Sequence, residues 1–365
     1  MRNTLICTAG TSLLNNLKRA DEDFQSALEQ KNWSQLAKLL LEKPNTDRVC
    51  GAEINSITSI CSKGLLSHYI RIIFLVSDTN DGRETGEILK RYYDNPQNPI
   101  NFEQVEFQIL EGLRDDSIHD FKTKGLKNLV LKISDAVNKW SPDVIAINAT
   151  GGYKAQISFA GMIGQALEIP VYYLFEKFSE VIELPPQPVA LDLAFWLENY
   201  ILFTTLEDEG TIEKSNLEYS LDNQYFQALI DEELPYISLS AMGVLFNQRS
   251  RLQFAKQSTA ILSQIPTDDT DPDEKPISLR DDYGKDILLA FSKKLCRSPY
   301  VKSIINSLPF NPKQINQIRR TNAAGQIEFV LIWTDAGLGI CIQTTGRNLA
   351  ETNSIAIHLA EKYSK

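Results

Sequence analysis

Two short glycine-bearing stretches are where this sequence could do chemistry. Thr8-Ala9-Gly10-Thr11-Ser12 follows directly on an apolar, β-rich run, and Ala149-Thr150-Gly151-Gly152-Tyr153-Lys154 follows another. In each, small residues let backbone N–H groups turn outward at the start of an expected helix, an arrangement that receives an anion. Hydroxyls at Thr11, Ser12 and Thr150 add donors, and Lys154 adds the charge a phosphate asks for. Neither stretch matches GxGxxG or GxxxxGK[ST], so dinucleotide and nucleoside-triphosphate sites of those kinds are disfavoured. A TxGTS stretch alone is also an ordinary helix start, and a GG pair alone a tight turn after a strand. Placed on the first strand and a late strand of one open sheet, the two together favour a ligand site.

A second candidate group lies toward the other end. Between Tyr283 and Arg347, nine basic residues (Lys285, Lys293, Lys294, Arg297, Lys302, Lys313, Arg319, Arg320, Arg347) stand against three acidic ones (Asp286, Glu328, Asp335), a net +6. The whole chain carries −10, so everything else carries −16, and a basic module is attached to an acidic body. Cations can neutralise a phosphorane while a ribose 2′-OH attacks its own 3′-phosphate, a cleavage that needs no histidine. Arg319, Arg320 and Arg347 are the leading candidates, with Lys313 and Lys285 outside them. Tyr283, Tyr300 and Trp333 could stack on bases. Taken singly, each is as readily a surface cation or a core aromatic.

Other chemistries find no residues. Five cysteines (Cys7, Cys50, Cys61, Cys296, Cys341) form no CxxC and read as reduced core residues, while His68, His119 and His358 are too scattered to bind a metal. No apolar run approaches the roughly 18 residues of a membrane span, and the N-terminus reads as a strand instead of a leader, so a cytoplasmic protein without membrane contact is expected.

The elements that must carry the two loops follow a βαβ rhythm. Strands are expected at Asn3–Cys7, Tyr69–Val76, Val105–Leu110, Val144–Asn148 and Val171–Phe175, with helices at Glu22–Leu41, Arg83–Tyr93, Phe121–Trp140 and Ala155–Leu167. That predicts an α/β fold with a doubly wound, mostly parallel sheet and a ligand site at its switch point. The proline run Leu184–Pro188 marks a domain exit near residue 190. A mainly helical connector is expected over 191–270, in which Ser238 to Phe254 has the look of a winged-helix unit, and the acidic Pro266–Pro276 stretch has linker composition. Residues 271–365 then form a small α+β domain: helices at Asp281–Cys296 and Tyr300–Asn306, strands at Gln326–Trp333 and Leu338–Gln343, and a turn at Asp335-Ala336-Gly337.

With these motifs in view, the segments LICTAGTSLLNN, VIAINATGGYKAQISFAG and VYYLFEKFSEVIELPPQPVALD resemble the CARF sensor domains of type III CRISPR systems. The resemblance covers about 1–190 and implies a Rossmann-like homodimer that binds a cyclic oligoadenylate, usually the cyclic tetra-adenylate, as an allosteric ligand with no other cofactor. Ala9, Gly10, Thr11 and Ser12 would line the ring, and Thr150, Gly151, Gly152, Tyr153 and Lys154 would contact its phosphates. It also implies slow ring cleavage by Ser12 and Lys154, with binding without cleavage equally open. The C-terminal order of helices, arginine pair and hairpin resembles the RelE superfamily of mRNA interferases, which implies ribosome and mRNA as partners. A winged-helix transcription regulator and a stand-alone ring nuclease are the alternatives.

Overall fold

The structure, a computed structural model, describes residues 2–175, 180–187, 191–217, 221, 223–281, 284–309, 317–333 and 336–363. Lys313, Tyr283 and Asp335 lie outside the described residues, as do the side chain of Trp333 and the end of the proline run at Pro188.

The N-terminal part runs β1 (Thr4–Thr8), α1 (Ser12–Leu17), α2 (Glu22–Glu29), α3 (Trp33–Leu41), α4 (Gly51–Ser62), β2 (Arg71–Ser77), α5 (Asn80–Tyr93) and β3 (Gln104–Leu110). It continues through a short α6 (Ile118–Asp120) and a π-helical turn at Phe121–Gly125 into α7 (Leu126–Trp140), then β4 (Ile145–Asn148), α8 (Lys154–Ala166), β5 (Val171–Tyr173) and β6 (Ile182–Leu184). The six strands lie in the order β3-β2-β1-β4-β5-β6, all parallel except β6. The chain winds outward from β1 on one side and restarts at β4 on the other, so β1 and β4 flank the switch point of a Rossmann-like fold. Every residue of β1 and of β4 is buried, as helices on both faces require. The single helix expected over Glu22–Leu41 is two: Lys31 takes a left-handed φ of 52°, and the Asn32 side chain then accepts from the Gln35 N–H to cap α3.

After β6 come α9 (Leu193–Glu198), α10 (Tyr200–Glu209), β7 (Ile212–Glu213), α11 (Phe226–Leu229), β8 (Ile230–Glu233), β9 (Tyr236–Leu239) and α12 (Ala241–Leu262). The connector is therefore not only helical, since β7, β9 and β8 make a small sheet. In the segment expected to resemble a winged helix, Tyr236–Leu239 is strand β9 and residues 241–262 are one continuous helix.

The C-terminal part adds α13 (Lys285–Cys296), β10 (Val301–Leu308), β11 (Ile318–Thr321), β12 (Gln326–Trp333), β13 (Ala336–Thr344) and α14 (Leu349–Tyr363). Its antiparallel sheet has the order β10-β13-β12-β11, with a core of residues such as Leu295, Ile327, Ile340, Ile342 and Leu359. The helix expected at Tyr300–Asn306 is strand β10. Two irregularities on β10 set two of its residues against one on β13, so burial recurs at Val301, Ile304 and Ser307, a spacing of three that imitates a helix. The stretch of linker composition packs along this strand: the Ile304 N–H donates to the Pro276 carbonyl, and buried Lys275 donates to the Ser298 carbonyl at 3.0 Å.

The chain forms two compact units, one of 1–190 with 221–231 and 240–246, the other of 191–220, 232–239 and 247–365. In the second unit the buried Asn353 side chain on α14 donates to the Leu197 carbonyl of α9. Among the described residues no helix is long and apolar enough to cross a membrane.

Candidate functional site

Because β1 and β4 are neighbours in parallel register, with Cys7 opposite Asn148, the loops that follow them leave the sheet side by side. Thr8 ties them together, its buried hydroxyl donating to the Gly151 carbonyl at 2.5 Å. The loops approach so closely that a Cβ on Gly10 would stand 2.7 Å from the Gly152 nitrogen. Gly152 has a φ of 105°, and a Cβ there would also meet the Gln156 side chain at 2.3 Å, so position 152 needs glycine on both counts. Gln156, fully buried on α8, accepts from the Tyr153 N–H at 3.3 Å and donates to the Leu75 carbonyl at 3.3 Å, which fixes the start of the helix against β2.

The structure thus brings the expected ligand-binding residues into one place, with differing availability. Ser12 and Lys154 are exposed at the mouths of α1 and α8, and among the described residues Lys154 has no ion pair. Ala9 is buried and offers backbone only, its N–H already given to the Leu75 carbonyl. The Thr150 hydroxyl donates to the side-chain oxygen of Asn148 at 2.7 Å and accepts from the Leu174 N–H at 3.0 Å, so it braces the loop from inside. Tyr153 is half-buried with its ring edge-on to Phe121 in the π-helical turn, and burial, with Asp115 nearby, pushes its phenol up.

The residue that the sequence reading missed is Glu53. It is fully buried on α4, where its carboxylate accepts from the Gly10 N–H at 2.8 Å and from the Ser12 hydroxyl at 3.4 Å. The Gly10 N–H expected to face a ligand is therefore held by an internal carboxylate. Burial pushes the Glu53 carboxyl above its ordinary value, opposed by the hydrogen bonds from the Gly10 backbone, from its own backbone and from Ser12. Gly51, left-handed at φ 78°, lets α4 start against Leu13 and brings Glu53 to the loop. A signal was present: Glu53 shares the α4 face of Ile57 and Ile60, which are buried, so a carboxylate sits where the helix periodicity demands apolar residues. The nearby thiols are inert by burial, which raises Cys7 and pushes Cys61 up to about 12.

The basic candidates of the second unit do not come together. Arg319 on β11 pairs with Glu328 of β12 at 3.4 Å, and Arg347, beyond the end of β13, pairs with Glu351 at 2.6 Å through two nitrogens. β12 separates β11 from β13 in the sheet. Lys285 pairs with Asp281 at 3.2 Å, and Lys294 lies over the Tyr363 ring. Tyr300 donates its hydroxyl to the Leu262 carbonyl, so it serves the core. Arg320 is exposed on β11 next to Arg319. Two of these acidic partners lie just outside Tyr283–Arg347; over 281–351 Asp281, Asp282 and Glu351 bring the net charge from +6 to +3. Among the described residues no group of three His, Cys, Asp or Glu side chains could hold a metal.

Among solved structures, Can2 from Sulfobacillus thermosulfidooxidans in complex with cyclic tetra-adenylate is 12% identical, covering 73% of this chain and 70% of its own, at a TM-score of 0.24. Protein VC1899 from Vibrio cholerae is 10% identical over 59% of this chain and 68% of its own, at a TM-score of 0.23. In sequence, residues 48–187 match the family described as CRISPR-associated protein (Cas_APE2256), a stretch that includes Glu53 and the loop Ala149–Lys154.

Proposed function

We propose that the first unit senses a cyclic oligoadenylate, with cyclic tetra-adenylate the ring expected first. The observation that carries the reading is the junction at the β1/β4 switch point, where two glycine loops touch and Ser12 and Lys154 stand exposed at its rim. The match of 48–187 to a CRISPR-associated family supports the same assignment. One chain brings a single lysine to the rim while a four-membered ring carries four phosphates, so two copies arranged about a two-fold axis complete the site. Ser12 and Lys154 are then the pair for slow ring cleavage: the 2′-OH held by Ser12 attacks the adjacent phosphorus and loses its proton to water, the P–O5′ bond breaks and the 5′ oxygen leaves as a hydroxyl on taking a proton from water, and Lys154 offsets charge on the phosphate.

The ring in turn would control the second unit as a RelE-like, ribosome-dependent mRNA interferase. Its support is a four-stranded antiparallel sheet packed on α13 and α14 and the net +3 that residues 281–351 keep. For Arg319 or Arg347 to reach an mRNA phosphate, the pairs with Glu328 and Glu351 must open. Incubating the protein with translating ribosomes, with and without cyclic tetra-adenylate, and mapping mRNA ends tests this. Ring-dependent ends support the effector assignment, and unchanged mRNA beside demonstrable ring binding removes it while leaving the sensor.

A further inference from the structure

Among the described residues Glu53 is the only buried carboxylate, and neither loop motif accounts for it. It has no cationic partner among the described residues; its hydrogen bonds come from the Gly10 N–H and the Ser12 hydroxyl. In its ionised form the Glu53 carboxylate only accepts, so each group bonded to it then donates. Ser12 has one hydroxyl proton, and it points inward to Oε2 of Glu53. What Ser12 offers the exposed side of the site is therefore the lone pairs of its oxygen. A phosphodiester, which also only accepts, is the wrong partner for that oxygen, whereas a ribose 2′-OH is a donor and fits it.

We propose that Glu53 is a specificity-determining positioning residue, which by taking the Ser12 proton presents Ser12 as an acceptor for a ligand 2′-OH and so selects a ribose ring over its 2′-deoxy counterpart. The proposal rests on the sensor reading and adds which ligand group meets Ser12. A carboxamide reverses the polarity. With its carbonyl oxygen on the Gly10 N–H, the Glu53→Gln amide nitrogen donates to Ser12, which must then turn its own proton outward.

The test is calorimetric titration of the full chain with cyclic tetra-adenylate and with its 2′-deoxy analogue. Wild type should prefer the ribose ring by about three- to tenfold for each 2′-OH that donates to a Ser12 oxygen. Glu53→Gln should bring that preference close to one while thermal melting shows the fold retained, and Ser12→Ala should do the same with Glu53 in place. The double variant should show no further loss, because both changes remove the same hydrogen bond. A wild-type preference kept in Glu53→Gln or in Ser12→Ala overturns the proposal, as does a wild type that binds both rings equally. A wild type that binds no cyclic oligoadenylate overturns the sensor reading and this proposal with it.

Discussion

Gly151→Ala probes how the junction is packed from within. Gly151 does not have a positive φ, so alanine costs nothing in backbone conformation and the perturbation is steric. Its Cβ would stand 2.1 Å from Oε1 of Glu53 and 2.9 Å from the Thr8 carbonyl oxygen. Two atoms cannot share that space, so Glu53 must swing away from the Gly10 N–H. Overpacking of this kind costs about 1–3 kcal/mol, and losing a hydrogen bond to a charged group about 1.5–3 kcal/mol. The sum, about 2.5–6 kcal/mol, would lower the melting temperature of a unit of this size by about 5–24 °C. Differential scanning calorimetry of Gly151→Ala, Glu53→Ala and the double variant measures it. With Glu53 shortened, the alanine at 151 meets only the Thr8 carbonyl, so the double variant should recover about 1–3 kcal/mol relative to additivity. A Gly151→Ala protein that melts like wild type, or strictly additive effects, would refute the packing of Glu53 between the loops.

Lys154→Ala should weaken ring binding by about ten- to a hundredfold with no change in melting, since it removes a charge-assisted hydrogen bond from an exposed position; equal affinity in calorimetry counts against its role. Glu53 also predicts a pH dependence. Its folded-state value is raised, so the stability it contributes is complete below the ordinary carboxyl value of 4.5 and is lost as pH rises through the folded value. Denaturant unfolding of the first unit across pH should show that decline in wild type and a flatter profile in Glu53→Gln. In the second unit, Asn247→Ala leaves the buried Trp196 indole N–H without its 2.8 Å acceptor and should cost about 1–3 kcal/mol, read by tryptophan fluorescence during unfolding. Arg347→Ala and Arg319→Ala/Arg320→Ala should slow any ring-dependent mRNA cleavage by about 100- to 1000-fold with ring affinity unchanged, and wild-type cleavage in these variants removes them from the reaction.

The sheet was legible because its strands are buried on both faces and so appear as unbroken apolar runs, Leu5-Ile6-Cys7 and Ile145-Ala146-Ile147 among them. The loop glycines were legible because a tight turn after a strand leaves a local mark. Glu53 was not, because its partners Gly10 and Ser12 lie more than 40 positions away and only the packing of α4 on α1 brings them together. β10 read as a helix because its bulges turn a period of two into one of three. α14 escaped notice because Thr352, Asn353 and Ser354 are buried, so polar residues interrupt the apolar stripe that would announce it. The cluster of cations dissolves for a related reason: Asp281 and Glu351, which pair with Lys285 and Arg347, lie just outside the basic Tyr283–Arg347 segment.

The most direct test of the central claim is isothermal titration of the full-length chain with cyclic tetra-adenylate, with Lys154→Ala as control. Saturable binding at one ring per two chains, weakened by about ten- to a hundredfold in Lys154→Ala, is the expected result. An absence of binding to cyclic oligoadenylates of every ring size, in protein whose melting shows it folded, would contradict a sensor at the β1/β4 junction.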